Sequence, residues 1–258
     1  MSLNHGASRS IALYGGTPQC VFSLRPLARY SGPVLKVRRS SDNLTELFYF
    51  STSRYGINED EILAFVGAND GFVEAWYDQS GSGRHATNTT TAQQPKIVTA
   101  GVVEKRNGRP TIVFSGAQRL NVTTTIFGSS FGVFQRNSVA SVISEMTSGG
   151  ATYRGLFPGN ADDLYWVHSD YATNGGVLVN RSTTTSPLST ITGAKLFQAG
   201  GFGTPDGQSV VTKPHALGYG TPGYAYLTGA LSELLIFPTD IRSKRAYIEQ
   251  NQREYYSI

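Results

Sequence analysis

The sequence predicts an all-β protein, an antiparallel two-sheet β-sandwich with a few short helices and a C-terminal helix. Charged residues make up only 16% of the 258 residues, whereas glycine (29), tyrosine (14) and phenylalanine (13) are abundant. Short apolar runs recur with Gly, Asn or Ser between them, which is typical of strands joined by tight turns. Helical spacing of apolar residues is confined to brief segments. These observations together predict one large sandwich domain.

The first elements are predicted to mix strands with short helices. Residues 1–16 are small and polar without periodicity, so we expect an N-terminal arm ahead of a single domain over 17–258. A short helix is expected over 21–30, and the alternation of 33–40 predicts a strand. The segment 59–70 starts with acidic residues and keeps apolar residues at helical spacing, which predicts a helix that ends at a glycine.

From there the chain is predicted to be β almost throughout. The segment 71–79 is expected to be a strand, and Asn107-Gly108 between apolar runs is a strong hairpin signal. The last strand is expected over 230–240, followed by a helix over 240–256 that is capped by its first residue. Four residues are assigned to the apolar side of that helix: Ile241, Tyr247, Ile248 and Tyr255. Further short strands are expected over 138–146, 164–171, 175–182 and 195–203.

Charge and cysteine content exclude several classes of function. The formal net charge is only +4 and no run of lysine and arginine exceeds two residues, so we expect no nucleic-acid partner. Cys20 is the single cysteine, which rules out an intrachain disulfide. The N-terminus lacks the apolar core of a secretory signal, and no stretch approaches 18 apolar residues. We therefore expect a protein made in the cytoplasm, without membrane insertion.

The stretch AWYDQSGSGRHATN (75–88) invites a chemical interpretation. A phosphate loop would need a lysine after its glycines and a helix behind it, and the residues that follow suit neither requirement. A nucleophilic Ser80 would need a base and an orienting acid, and the Gly-x-Ser-x-Gly elbow is missing. Both chemical interpretations are therefore weaker than a structural one.

In the structural interpretation this stretch is the end of a strand and a turn. Trp76 and Tyr77 alternate across the strand, and Asp78 accepts hydrogen bonds from N–H groups of the glycine-containing turn. Asp78 is also expected to meet Arg38 or Arg39 from the neighbouring strand, which would keep its charge paired. The predicted structural residues are Arg38, Arg39, Asp42, Trp76, Tyr77, Asp78, Gln79 and Gly81.

Several motifs occur in the order in which a known family has them. The segments YGGTPQCVFSLRPLARYSGPVLKVRRSSDN (14–43) and WYDQSGSGRHAT (76–87) resemble the catalytic domain of glycoside hydrolase family 54, the α-L-arabinofuranosidase B family. The segments 107–122 and 227–258 resemble the laminin-G/concanavalin-like domains of tailed-phage structural proteins. Both resemblances imply a concanavalin/laminin-G-like sandwich of the jelly-roll type.

The catalytic residues of that enzyme family have no match at the corresponding positions. The nucleophile of the family lies in an Asp-x-Glu-Asn stretch, whereas 163–165 and 170–172 begin with Asp and lack the Glu. The acid of the family follows a glycine-rich strand end, whereas 216–226 has Thr-Pro at that point. The paired cysteines of the family are also absent, since Cys20 is the single cysteine of the sequence. The resemblance therefore implies the fold without the two carboxyl groups that retaining glycosidases need, and we expect no enzymatic activity.

The expected function is that of a non-enzymatic structural protein of a tailed-phage virion, in the tail, the baseplate or the capsid. We expect a homo-oligomer with other virion proteins as partners. A lectin-like adhesin that binds a host-surface glycan is one version of this hypothesis. The alternative is an α-L-arabinofuranosidase-like glycoside hydrolase acting on a surface polysaccharide, with Asp163 or Asp170 working together with Glu233.

A glycan site would combine aromatic rings with groups that bond sugar hydroxyls. The candidates for it are Trp166, Tyr165, Tyr171, Asp163, Asp170, Asn174, Tyr219 and Tyr224, with Asp162 and Tyr226 nearby. No cofactor is expected. No metal ion is expected either, because the four histidines are dispersed along the chain; calcium at the acidic segment 159–163 is the open alternative.

Overall fold

The computed structural model describes most of the N-terminal half, the end of the chain and several strands between them. The described residues are 16–53, 55–124, 129–137, 142–145, 155–156, 177–179, 182–184, 197–202, 213–219, 226–239 and 241–258. In the first half they form β1 (Cys20–Ser23), β2 (Leu35–Arg39), β3 (Thr45–Phe48), α1 (Glu59–Val66), β4 (Gly71–Trp76), β5 (Ala86–Thr87), β6 (Lys96–Thr99), β7 (Val102–Val103), β8 (Lys105–Arg106) and β9 (Arg109–Pro110). In the second half they form β10 (Ile112–Ser115), β11 (Leu120–Thr124), β12 (Ser129–Arg136), β13 (Ile143–Glu145), β14 (Gly155–Leu156), β15 (Val177–Val179), β16 (Ser182–Thr184), β17 (Phe197–Phe202), β18 (Lys213–Leu217), β19 (Thr228–Phe237) and α2 (Arg245–Tyr256). Single turns of 3₁₀ helix cover Thr91–Gln93 and Arg242–Lys244.

Seventeen of the strands are hydrogen-bonded into one antiparallel sheet that folds over into two layers, and β8 and β9 form a separate hairpin. The first layer has the order β16–β15–β17–β12–β19, with β1 and β10 one after the other along the far edge of β19. The second layer has the order β3–β2–β4–β5–β11–β18–β13–β14. Strand β6 joins the layers, since it pairs with both β4 and β10. The predicted antiparallel β-sandwich is confirmed.

The main core lies between the two layers. Phe22 and Leu231 of the first layer belong to the same buried cluster as Trp76 and Leu120 of the second. The rings of Phe22 and Trp76 are 5.7 Å apart. Burial of such large apolar side chains stabilises the sandwich by roughly 1.5–3 kcal/mol for each of them.

Helix α2 covers the outer face of the first layer. Ile248 packs in a cluster with Phe131 and Leu235, and Tyr256 packs against Val133. Strand β19 is therefore buried on both faces, which explains why nine of its ten residues are buried.

Part of the predicted apolar side of this helix is wrong. Ile241 and Ile248 are buried as predicted, whereas Tyr247 is 60% exposed and Tyr256 is buried. The helix begins at Arg245, with Lys244 as N-cap. Residues four apart lie on the same face of a helix, so Ile248, Gln252 and Tyr256 form the buried face and Tyr247 lies on the exposed one. The predicted cap, Asp240, lies outside the described residues.

The helix expected over 21–30 is also wrong, since residues 20–23 form β1, which pairs with β19. Cys20 and Phe22 face the main core, whereas Val21 faces the cluster under α2. A strand with both faces buried is apolar at every position and therefore lacks the alternation that identifies a strand in a sequence.

Two local predictions are confirmed. Helix α1 begins after Asn58, whose side chain accepts a hydrogen bond from the N–H group of Glu61, and ends at Gly67. In the β8–β9 hairpin, Asn107 and Gly108 have φ angles of 50° and 75°, the left-handed geometry that the turn requires. The arm expected over 1–16 stays a prediction, because all but its last residue lies outside the described part. Within that part, no helix is long and apolar enough to cross a membrane.

Candidate functional site

The turn after β4 is organised around the carboxylate of Asp78, which is fully buried. Its Oδ1 accepts hydrogen bonds from the N–H groups of Val21 (2.8 Å) and Ser80 (2.8 Å). Its Oδ2 accepts from the hydroxyls of Ser80 (2.6 Å) and Ser82 (2.8 Å). Gly81 has a φ of +85°, where a side chain would strain the backbone. Because Val21 lies in β1, this carboxylate connects the two layers.

Gln79 and Trp76 attach the same turn to the segment that follows β1. The side-chain Oε1 of Gln79 accepts from the N–H group of Leu27 at 3.0 Å. Its Nε2 donates to the carbonyl groups of Ser23 (2.8 Å) and Arg25 (3.1 Å). The indole of Trp76 donates to the carbonyl of Ser23 at 3.4 Å. These are contacts of a structural motif, since every one of them satisfies a buried polar group.

The turn does not form a nucleophilic site. The hydroxyl of Ser80 bonds to Asp78, and the Nδ1 of His85 accepts from the N–H group of Asp78 at 3.1 Å. The ring of His85 packs edge-on against Tyr77, with centroids 4.8 Å apart. The hydroxyl of Ser80 therefore donates to the carboxylate of Asp78 and not to a histidine. The ring of His85 is held by its hydrogen bond from the backbone of Asp78.

The predicted contact between Asp78 and the arginines of β2 is wrong. Arg38 donates to Gln94 at 2.7 Å and lies 4.5 Å from the centroid of the Phe72 ring, while Arg39 pairs with Asp42 at 2.6 Å. The antiparallel register places Arg38 opposite Phe72, at the start of β4, whereas Asp78 follows its end. Six residues of strand separate these points, which is about 20 Å.

A buried ion pair lies between the first layer and α2. Nε of Arg25 is 2.8 Å from Oε2 of Glu233, and Nη2 of Arg25 is 3.0 Å from Oε1. The side chains are 2% and 0% exposed. Burial alone would lower the pKa of the Arg25 guanidinium, but the charge and hydrogen bonds of Glu233 outweigh burial and raise it.

Three further donors surround the Glu233 carboxylate. They are the hydroxyl of Ser23 (2.9 Å), Nε2 of Gln252 (3.1 Å) and the hydroxyl of Tyr256 (3.4 Å). Burial, followed by the charge of Glu233, raises the pKa of Tyr256 well above its ordinary value, so the phenol stays a donor. A carboxylate that is fully buried and shared among these donors cannot reach a substrate. The hypothesis that Glu233 acts as a catalytic acid is therefore wrong.

Most other described acids are also neutralised. Asp42, Glu59, Asp70, Glu74, Glu104 and Glu249 each lie within 4.0 Å of a lysine or arginine. Within the described ranges no three His, Cys, Asp or Glu side chains form a group that could hold a metal ion. The calcium candidate 159–163 lies outside these ranges.

Part of the predicted glycan site lies at the end of β18. Tyr219 and Tyr226 are both half-buried and pack edge-to-face, with centroids 5.2 Å apart. The guanidinium of Arg119 lies 5.3 Å from the centroid of Tyr219. The remaining candidates lie outside the described residues: Trp166, Tyr165, Tyr171, Asp163, Asp170, Asn174 and Tyr224.

Sequence reasoning missed two polar atoms at the start of β11, the strand that pairs with β18. Nε of Arg119 and Oδ1 of Asn121 are buried and have no hydrogen-bond partner among the described residues. Leu120, between them in sequence, faces the core, so Arg119 and Asn121 lie on the outer face of the second layer. Alternation along β11 could have placed both on this face, but only the fold brings Arg119 to Tyr219. A donor, an acceptor and two aromatic rings together suit a ligand that carries hydroxyl groups.

A separate cavity of about 670 Å³ lies between the loop 51–57, the β8–β9 hairpin and the end of α2. Tyr255 forms part of its wall, and its ring lies between the guanidinium groups of Arg25 (4.4 Å) and Arg109 (4.2 Å). Sequence reasoning assigned Tyr255 to the apolar side of α2 and did not find this cavity, whose walls come from three distant segments.

The fold matches solved structures of family 54 arabinofuranosidases. One is a glycoside hydrolase family 54 α-L-arabinofuranosidase soaked with a cyclic sulfate inhibitor, with a TM-score of 0.63 and 14% identity. A second is an arabinofuranosidase complexed with arabinofuranosyl-α-1,2-xylobiose, with a TM-score of 0.58 and 15% identity. Each match covers 93% of this chain, which spans 63% of the length of each solved chain. No protein-family model and no curated protein sequence matches the chain.

These matches contradict the expectation of a non-enzymatic protein. That expectation depended on the lack of two short catalytic strings in a chain that is 14% identical to the solved arabinofuranosidase. The comparisons give no support to a laminin-G-like phage domain or to a virion protein. What they show is that the chain has the sandwich fold of the family 54 arabinofuranosidases along almost its whole length.

Proposed function

We propose that this protein is a glycoside hydrolase that releases α-L-arabinofuranosyl groups from a polysaccharide. The observation that carries the proposal is that 93% of the chain shares the fold of solved arabinofuranosidases. A fold alone does not determine an activity, so the proposal needs a site as well. We place the substrate site on the outer face of the second layer, at the end of β18.

The residues of this face have the chemistry of a sugar site. The tyrosine pair at Tyr219 and Tyr226 offers half-buried aromatic surface, and the guanidinium of Arg119, which is also half-buried, lies 5.3 Å from the centroid of Tyr219. In the resembled family the catalytic acid follows the strand end that corresponds to 216–226. The face and the resemblance therefore point to the same end of β18.

Hydrolysis with retention needs two carboxyl groups about 5 Å apart. One attacks the anomeric carbon while the other protonates the departing oxygen, and water then releases the sugar from the first carboxylate. Glu233 is excluded by its burial, and Asp42, Glu59, Asp70, Glu74, Glu104 and Glu249 are paired with cations. We therefore assign the catalytic carboxylates to the acids that remain from the hypothesis, Asp163 and Asp170.

Release of 4-nitrophenol from 4-nitrophenyl α-L-arabinofuranoside tests the proposal. We expect turnover by the purified protein, and a loss of several orders of magnitude in kcat in Asp163→Asn or Asp170→Asn. Asp60→Asn, which changes an exposed acid at the start of α1, is the matched control and should keep full turnover. If the unaltered protein shows no more release than a heat-inactivated sample, the proposal is wrong.

Three expectations stay predictions: that the protein is part of a virion, that other virion proteins are its partners, and that it forms a homo-oligomer. A hydrolase acting on a host-surface polysaccharide would be compatible with them. Mass spectrometry of purified particles and light scattering of the purified protein would test them, and a monomer absent from particles would contradict them.

A further inference from the structure

We propose that the cavity beside Tyr255 binds the carboxylate of an acidic sugar. A uronic-acid unit of a polysaccharide would bind there, at a second site separate from the proposed substrate site at the end of β18. The saccharide class in this inference rests on the proposed function. The anionic character of the ligand follows from the cavity itself.

Arg109 is the group that would bind the carboxylate. Its Nε donates to the backbone carbonyl of Tyr255 at 2.9 Å, and the central carbon of its guanidinium lies 4.2 Å from the centroid of the Tyr255 ring. These two contacts fix the plane of the guanidinium. Its two Nη groups have no partner among the described residues, so both are available in the forked arrangement that matches a carboxylate.

Among the described residues that line the cavity, Arg109 is the charged side chain without a countercharge. Glu59, the acid that lines it, is bound to Lys105 at 2.7 Å. Arg25, behind Tyr255, is neutralised by Glu233. A cavity with one unpaired, oriented arginine attracts an anion more than a neutral ligand.

The remainder of the cavity suits a sugar ring. Its volume of about 670 Å³ is within the range of roughly 300–1,000 Å³ that is typical of ligand pockets. Tyr55 supplies a ring that is fixed by the hydrogen bond from its hydroxyl to the carbonyl of Pro26 at 2.7 Å. Ser53 and Gly108 are exposed, so the hydroxyl of Ser53 and the backbone of Gly108 are accessible in the wall.

Isothermal titration with trigalacturonate, and with its methyl ester as the neutral counterpart, tests the inference. We expect the acid to bind more tightly than the ester, with an affinity that falls as salt is added. Arg109→Gln should weaken binding of trigalacturonate about 10- to 100-fold, as expected for loss of a charged hydrogen-bonding partner, and leave the ester nearly unchanged. Ser53→Asp, which adds a negative charge to the cavity without altering Arg109, should weaken binding of the acid alone.

Lys244→Gln is the matched control, since it removes one exposed positive charge at the start of α2. It should bind trigalacturonate as the unaltered protein does. Equal binding of acid and ester, full binding by folded Arg109→Gln, or inorganic sulfate binding as tightly as trigalacturonate would overturn the inference. The titration requires no turnover, so tight acid binding without hydrolysis contradicts only the proposed function. Hydrolysis without acid binding contradicts only this inference.

Discussion

The buried ion pair under α2 gives the sharpest test of the structure. Glu233→Gln keeps the size of the side chain and removes its charge. Arg25 would then be left 2% exposed with its countercharge gone, and the hydroxyl of Ser23 would lose an ionised acceptor. The amide of the variant would also place a donor near Gln252, which now donates to Oε1 of Glu233.

The expected loss of stability is large. Breaking a buried ion pair by removing one partner costs about 3–5 kcal/mol, because the other charge stays buried and unpaired. A domain of this size has a total stability of roughly 5–15 kcal/mol. For such a domain the change corresponds to a decrease of roughly 6–20 °C in the melting temperature.

The pair Lys36–Glu74 provides the matched comparison, since its atoms are 2.7 Å apart but its side chains are 34% and 19% exposed. Glu74→Gln should cost no more than about 1 kcal/mol.

Urea denaturation followed by circular dichroism measures both variants. The reasoning is refuted if Glu233→Gln loses less than about 1 kcal/mol, or no more than Glu74→Gln. A variant that keeps its stability but loses turnover of the aryl arabinofuranoside would instead restore Glu233 as a catalytic residue. Hydrolysis and stability are therefore to be measured on the same preparation.

Two further predictions concern the carboxylates of the second layer. Asp78→Ala leaves the buried N–H group of Val21 without its acceptor, so we expect a loss of about 2–3 kcal/mol in urea denaturation; an Asp78→Ala protein of unchanged stability would contradict the structural role. The hydrogen bond from Lys96 (2.7 Å), followed by that from Ala100, lowers the pKa of Asp70. A lowered pKa in the folded state stabilises the protein above the ordinary pKa, and this contribution disappears as the pH falls below about 4. Asp70→Asn should therefore cost about 0.5–1 kcal/mol at pH 7 and almost nothing at pH 3, and an equal loss at both pH values would contradict the assignment.

The features that the sequence predicts well depend on neighbouring residues. The acidic start of α1, its end at Gly67 and the turn at Asn107 and Gly108 require only a few consecutive residues of the right type. The sandwich class follows from the many short apolar runs. These properties are local or compositional, so no knowledge of the packing is needed to find them.

The features that the sequence does not predict depend on which faces of the strands and helices become buried. Strand β1 was predicted as a helix because α2 covers the face that would otherwise be polar. The pair Arg25–Glu233 joins residues 208 positions apart, and neither residue has a local signal that distinguishes it from a surface charge. The cavity beside Tyr255 and the polar atoms of Arg119 and Asn121 likewise exist only once distant segments meet.

The motif around Asp78 is constrained differently from a catalytic motif. Its carboxylate connects β1 to the turn after β4, so the residues near it are constrained by the fold. A catalytic carboxylate is constrained by its position in space and can come from different points of a loop, so a different string can supply it. The surviving motif therefore identifies the sandwich, while the missing strings leave the activity undecided. The Asp163→Asn and Asp170→Asn variants address that question directly, because they alter the two acids to which the proposed function assigns catalysis.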